Sequence, residues 1–204
     1  MSPGPALYLD NNATAPLRPE AVTAMQQAMG PPSNPSSVHG FGRSARLIVE
    51  GAREEIAILV GSRAADIVFT SGGTESNNLV LSGFDHIITS AIEHDSVLHA
   101  APGADIVRVD RDGLIDLDHL ADCLDDVPDA MRAKTLVSVM MANNETGVIQ
   151  PIESVVAMAR DAGAAVHSDM VQMLGKTHLD FANSGLDYAT ISAHKIGGPA
   201  GVGA

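Results

Sequence analysis

The sequence predicts an α/β domain with a mostly parallel sheet and helices on both faces. Two observations carry that prediction. Short apolar runs alternate with segments of helical period from Ile67 to Ile191. Polar and glycine-rich residues gather where those runs end, which is where sheets of this kind place their sites. The composition agrees: 45% of residues are apolar but only 3% aromatic, with no Trp, so Ala, Val, Leu, Ile and Met must build the core.

Taken in order, Leu7-Tyr8-Leu9 is followed by the polar loop Asp10-Asn11-Asn12-Ala13-Thr14-Ala15-Pro16, and residues 1–18 read as an N-terminal segment. Pro19 to Met29 reads as a helix with Pro at its start. The breakers of Gly30 to Ser37 form an irregular connection before a long helix from Gly40 to Val60. In that helix Ala45, Ile48, Val49, Ala52, Ile56, Leu59 and Val60 mark the packed face, and Arg46, Glu50, Arg53 and Glu54 the wet one. Strands are predicted at Ile67–Phe69, His86–Ile88, Ile106–Val109, Thr135–Met141, Ala165–His167 and Tyr188–Ile191. Helices are predicted between them at Ser76–Leu81, Ser96–Ala101, Leu117–Leu124 and Ile152–Ala162. Residues 19–204 are read as one domain.

Charge and cysteine usage exclude several classes. A formal net charge of −13 argues against a large nucleic-acid footprint. The acidic stretch from Asp110 to Asp129 reads as a solvated face and loop, and no metal site is expected. The single cysteine, Cys123, permits no intrachain disulfide and lies at helical spacing among leucines, as a packed structural thiol does. No signal-like N-terminus or bilayer-length apolar run is present, so no membrane association is expected and a cytoplasmic location is.

The strand ends hold the candidate chemistry. Thr70-Ser71-Gly72-Gly73-Thr74-Glu75-Ser76-Asn77-Asn78 is either a capped turn or an anion site at a helix N-terminus, with the hydroxyls of Thr74 and Ser76 as added donors. His94 is a loop histidine, or one that stacks on a flat ligand or moves protons. Asn143-Asn144-Glu145-Thr146-Gly147 makes a turn or aims amides into a cleft. Asp169 is a helix cap or a carboxylate for a pyridinium nitrogen, with Gln172 three residues on. Lysine occurs only at Lys134, Lys176 and Lys195, and Lys195 closes Ser192-Ala193-His194-Lys195 before a Gly-Gly-Pro turn. It is a solvated charge, or a desolvated amine held for a Schiff base. Pyridoxal 5'-phosphate, with its phosphate, flat ring, basic nitrogen and aldehyde, accounts at once for four of these: the glycine turn, His94, Asp169 and Lys195.

Asp10 to Thr14, Asn34-Pro35-Ser36-Ser37-Val38-His39, Thr70 to Asn78, Asn143 to Gly147 and Ser192 to Lys195 resemble class V aminotransferases, most nearly the NifS/IscS-type cysteine desulfurases. The resemblance runs through the whole chain in the family's order. It implies the large domain of a fold-type I, pyridoxal-phosphate-dependent transferase, working as a homodimer in sulfur transfer for iron–sulfur cluster assembly. Lys195 would be the Schiff-base lysine and proton carrier, Asp169 the ring-nitrogen partner and His94 the stacking residue and acid/base. Gln172 would face the ring hydroxyl, Asn144 would contact cofactor and substrate, and Gly73, Thr74, Ser192 and His194 would hold the phosphate. The substrate would be L-cysteine or a similar amino acid, converted to alanine with sulfur left as a persulfide for an acceptor protein. Ala200 stands where the family usually has lysine. The family's small domain, substrate-carboxylate arginine and sulfur-accepting cysteine fall beyond Ala204, so the large domain is expected to be truncated and this chain alone inactive. Another class V lyase or transaminase chemistry, or an inactive fragment that holds the cofactor, are the alternatives.

Overall fold

The computed structural model describes residues 7–204. Five parallel strands form its sheet: β1 His86–Ser90, β2 Asp105–Val107, β3 Thr135–Ser138, β4 Ala165–Asp169 and β5 Tyr188–Thr190. Their spatial order is β2-β1-β3-β4-β5, with every neighbouring pair parallel. The helices are α1 Pro19–Ala28, α2 Gly40–Val60, α3 Gly73–Leu81, α4 Asp95–Leu98, α5 Leu117–Asp125, α6 Asp129–Arg132, α7 Ile152–Asp161 and α8 Phe181–Ser184.

The strands pack on both faces, as parallel strands do when crossover helices cover the sheet. Ile88, Val137 and Val166 point to one side, into a core with Leu120 and Leu124 of α5 and Val155 and Ala159 of α7. Ile87 and Leu136, one residue out of step, point to the other side against Leu81 of α3 and Val97 of α4. Because all strands run the same way, their carboxyl ends form a single rim. That rim sets Ser90, Ser138, Asp169 and Thr190 within a few residues of one another in register.

Ile67–Phe69 does not form the predicted strand. Its segment reaches the sheet only at Thr70, through an isolated antiparallel bridge to Gly203. Residues 202–204 run antiparallel beside the end of β5, with Ile191 and Ala204 exchanging backbone hydrogen bonds and Ala193 N–H donating to the Val202 carbonyl. Close packing fixes the junction: a Cβ on Gly203 would lie 2.7 Å from the Cα of Gly72. The helix after β1 is shorter than expected, one turn from Asp95 to Leu98, and β2 starts at Asp105 and stops at Val107.

The long helix α2 departs furthest from expectation. Its C-terminal turn packs through Ala57 and Val60 before Gly61 closes it in the left-handed region at φ 70°. Ile48 upstream is 53% exposed, and Leu59 within that turn is 48% exposed, although both belong to the predicted packed face; Leu47 is 73% exposed. Arg53, expected in solvent, lies over the Phe69 ring at 5.0 Å and donates to the Ile67 carbonyl. The face expected to pack is therefore covered only in part: Ala57 and Val60 are buried, and no element among the described residues lies over Ile48 or Leu59.

Candidate active site

The rim opens into a cleft of about 980 Å³. All nine residues singled out by sequence line it: Gly73, Thr74, His94, Asn144, Asp169, Gln172, Ser192, His194 and Lys195. They come from the segments after β1, β3, β4 and β5 and from the N-terminus of α3, and the fold brings them together.

At one end of the cleft sits the N-terminus of α3. Its N-cap, Gly72, has φ 155°, a conformation open to glycine, and it has no side chain to cap the helix. The backbone N–H groups of Gly73 and Thr74 find no acceptor among the described residues, so the first turn presents free donors backed by the helix dipole. A Cβ on Gly73 would crowd Val171 at 3.1 Å, so a side chain there would narrow the floor. Across from it Ser192 is a mostly buried residue that lines the cleft. Ser76 does not contribute as expected, because its hydroxyl pairs with Thr70 Oγ1 at 2.7 Å behind the turn.

Asp169, at the end of β4, forms the base of the cleft. Its Oδ1 accepts from the Val171 N–H at 3.0 Å and its Oδ2 from Asn77 Nδ2 at 2.9 Å. Burial pushes this carboxyl above the ordinary range, against the pull of those two donors and of His94 and Lys195. A carboxylate so placed lacks a direct cationic partner, and a protonated ring nitrogen would supply one. His94 caps α4: its Nδ1 accepts from the Ser96 N–H at 3.1 Å and contacts Ser96 Oγ at 2.8 Å. With Nδ1 occupied as an acceptor, the proton of the neutral ring belongs on Nε2.

Lys195 sits in the short 3₁₀ turn Ala193–Lys195. Burial lowers its amine below the usual lysine range and Lys176 adds to that, while Asp169 and Asp10 oppose it. Its Nζ donates to the carbonyls of Asn12 and Ala13. His194 contacts Thr14 Oγ1 at 3.3 Å through Nδ1, and its ring is also shifted down, by burial first and then by Lys195. The paired asparagines divide their work. Asn143 makes the turn, its Oδ1 accepting from the N–H groups of Glu145 and Thr146, while Asn144 faces the cleft.

Sequence reasoning missed Asn77, Ser96, Asn12 and Lys176 as parts of this site. Asn77 is fully buried, and its Nδ2 also donates to Ser96 Oγ at 2.9 Å. Only its place inside the Thr70–Asn78 motif could have signalled it. Gln172, expected to face a ring hydroxyl, donates from Nε2 to the Asn12 carbonyl and accepts from Lys176 Nζ.

A ligand with an anionic group, a flat cationic ring and an aldehyde fits these residues. The free donors at α3 and the Ser192 hydroxyl suit a phosphate, the unpaired carboxylate suits a pyridinium, and the amine of lowered basicity suits imine formation.

The chain matches the family model described as aminotransferase class-V over residues 7–204. It is 42% identical to a cysteine desulfurase IscS of Dictyoglomus turgidum, over 97% of this chain and 53% of that protein. It is 41% identical to the mitochondrial cysteine desulfurase of Saccharomyces cerevisiae, over 97% of this chain and 42% of that one. Among solved structures it superposes on a NifS-like protein from Rickettsia africae with a TM-score of 0.91 at 40% identity, covering 97% of this chain and 56% of that one. SspA in complex with cysteine gives a TM-score of 0.85 at 30% identity, over 97% and 60% respectively. The chain thus spans about half the length of the curated relatives it matches.

Proposed function

The chain belongs to the class V aminotransferase family, and from that premise we propose that it carries the pyridoxal-phosphate-binding part of a cysteine desulfurase. Residues 19–204 would be the cofactor-binding large domain. The observation that carries the reading is the convergence of all nine expected residues on one cleft. When bound, pyridoxal phosphate supplies an aldehyde for an amine and a protonated ring that withdraws electrons.

This chain's residues then have definite tasks. The N–H groups of Gly73 and Thr74, with the hydroxyls of Thr74 and Ser192 and the ring of His194, hold the phosphate. Asp169 keeps a proton on the ring nitrogen, and Asn77 and Val171 N–H hold that carboxylate in place. His94 would face the ring, its Nε2 proton directed by the Ser96 cap. Lys195 would supply the amine for the aldehyde and, as a free amine, would hold and return the α-proton of the amino acid. Asn144 and Gln172 border the space left for substrate. The substrate is L-cysteine, with alanine as product and sulfur passing to a thiol. Cys123 is not that thiol: it lies in α5, outside the cleft, and burial and neighbouring aspartates push its proton affinity up.

Two further properties belong to this reading. The uncovered apolar stripe of α2 suits a second copy of the chain, which supports a homodimer. No helix among the described residues is long and apolar enough to cross a membrane, which suits sulfur transfer in the cytoplasm to an acceptor protein for iron–sulfur cluster assembly.

The test is to add pyridoxal phosphate, reduce with borohydride and map the peptides. A single pyridoxyl group on Lys195 is expected, and an adduct elsewhere or none overturns the assignment. Cys123→Ser is expected to leave sulfide release from cysteine unchanged, and its loss in that variant would show that Cys123 is the accepting thiol.

A further inference from the structure

Residues 10–18 lie across the mouth of the cleft, zippered to the turn that carries Lys195. The Ala15 N–H donates to the His194 carbonyl at 2.8 Å, and the Arg18 N–H to the Gly197 carbonyl at 2.9 Å. Gly197 permits this approach, since at φ 84° it would meet the Arg18 side chain at 2.4 Å if it carried a Cβ. Within the strap, Asn12 has both side-chain polar atoms and its carbonyl engaged. Nδ2 donates to the Asn144 carbonyl at 3.0 Å, and Oδ1 accepts from Lys176 Nζ at 2.8 Å. Its carbonyl accepts from Gln172 Nε2 at 3.0 Å and from Lys195 Nζ. The adjacent Ala13 carbonyl accepts from Lys195 Nζ at 3.0 Å.

We propose that Asn12 is a positioning residue, latching this strap so that the Asn12 and Ala13 carbonyls form a seat for the Lys195 ammonium whenever the amine is not covalently engaged. An ammonium has three N–H donors and no acceptor, and backbone carbonyls only accept. Two carbonyls side by side therefore suit the protonated, non-nucleophilic amine. An amine committed to a C=N bond has at most one N–H left and vacates the seat. The seat refills when the lysine is released, keeping the amine at the cleft with one defined orientation. The two anchors of Asn12, the Asn144 carbonyl and Lys176 Nζ, fix where those carbonyls stand. The use of the seat in catalysis rests on the pyridoxal-phosphate reading, but the seat itself is a property of this chain.

The test is reductive methylation of the full chain with formaldehyde and cyanoborohydride, without cofactor, following each lysine by peptide mapping. Lys134, which is exposed and paired with Asp85 at 2.8 Å, is the internal reference. Each Lys195 rate is read as a ratio to the Lys134 rate in the same sample. Asn12→Ala is expected to speed Lys195 by about fivefold or more, the loss of charge-assisted acceptors being the cause, with Lys134 unchanged. Asn12→Leu keeps the side-chain volume but has neither the donor for the Asn144 carbonyl nor the acceptor for Lys176, and it is expected to behave like Asn12→Ala. An unchanged Lys195 rate in both variants overturns the proposal, as does an equal acceleration of Lys195 and Lys134, which would report general loosening. Borohydride trapping with pyridoxal phosphate on the wild type separates the two ideas. No pyridoxyl group on Lys195 alongside a clear Asn12 effect removes the cofactor reading and leaves the seat. An adduct with no Asn12 effect does the reverse.

Discussion

Asn77 and Asp169, 92 residues apart in the chain, are joined by a 2.9 Å hydrogen bond in which the buried amide donates to the buried carboxylate. The same Nδ2 donates its second proton to Ser96 Oγ, which in turn contacts His94 Nδ1 at 2.8 Å. One amide thus orients both the group that would protonate a ring nitrogen and the ring that would stack above it. Removing it with Asn77→Ala takes a donor from a charged acceptor, a loss of about 1.5 kcal/mol or roughly tenfold in affinity. Asp169→Ala removes the charge partner itself and is expected to cost about 2–5 kcal/mol. Titration of cofactor fluorescence measures both, and an Asp169→Ala protein that binds as the wild type does would refute the pyridinium assignment.

The phosphate end is separable from the ring end. Thr74→Ala and Ser192→Ala each remove one neutral donor and are expected to weaken pyridoxal phosphate by about 1 kcal/mol, several-fold in Kd. Binding of pyridoxal, which lacks the phosphate, should be unchanged. Equal losses for the two ligands would move these hydroxyls away from the phosphate.

His167 makes stability fall with acid. It is fully buried between β3 and β5, with Nδ1 at 2.9 Å from Ser138 Oγ and Nε2 at 3.0 Å from Thr190 Oγ1, and burial pushes it down to about 3. The unfolded chain takes up this proton near pH 6.5, so between roughly pH 6.5 and 3 the unfolded state binds more protons. The stabilisation is fully present above that window and is lost as pH falls through it, by a few kcal/mol in total. Urea midpoints across pH should show this loss, and His167→Gln should reduce the slope.

Glu93 acts in the opposite sense. Its Oε1 accepts from Ser90 Oγ and from the Met140 N–H at 2.9 Å, but its Oε2 is buried without a partner. Burial raises the carboxyl to about 8. The folded state therefore holds a proton that the unfolded state releases above about pH 4.5, and this contribution declines as pH rises from there through 8. Glu93→Gln cannot ionise and keeps the acceptor for Met140. It is expected to flatten this decline and to be at least as stable as wild type at pH 8, whereas a steeper decline would show that the carboxylate is the form the fold prefers.

The exposed stripe of α2 predicts association. Sedimentation is expected to show a dimer, and Leu47→Glu with Ile48→Glu should shift it to monomer without lowering helicity. A wild-type monomer at about 100 μM, well above the micromolar Kd of a weak specific interface, would show that the stripe is not a self-association face.

Much of this architecture was legible in the residues themselves. Alternating apolar runs specified parallel strands and crossover helices, because a strand buried on both faces and a helix with one apolar stripe have different periods. The same alternation placed the polar strand ends on one rim, so Lys195, Asp169, His94 and the Gly72-Gly73 turn could be assigned to a single ligand before any coordinates.

Other features required the tertiary structure. Periodicity locates the apolar face of α2 but says nothing of what covers it, so Ile48 and Leu59 were expected to pack and instead stand exposed. The β character of Ile67–Phe69 could not reveal that its segment meets residues 202–204 only through the single bridge at Thr70. Asn143 and Asn144 are indistinguishable as a dipeptide until the backbone turns one inward to its own loop and the other to the cleft. Asn12 reaches Lys195 across 183 residues and Asn77 reaches Asp169 across 92. A hydrogen bond of about 3 Å depends on where two distant backbones come to rest, and only the folded sheet decides that.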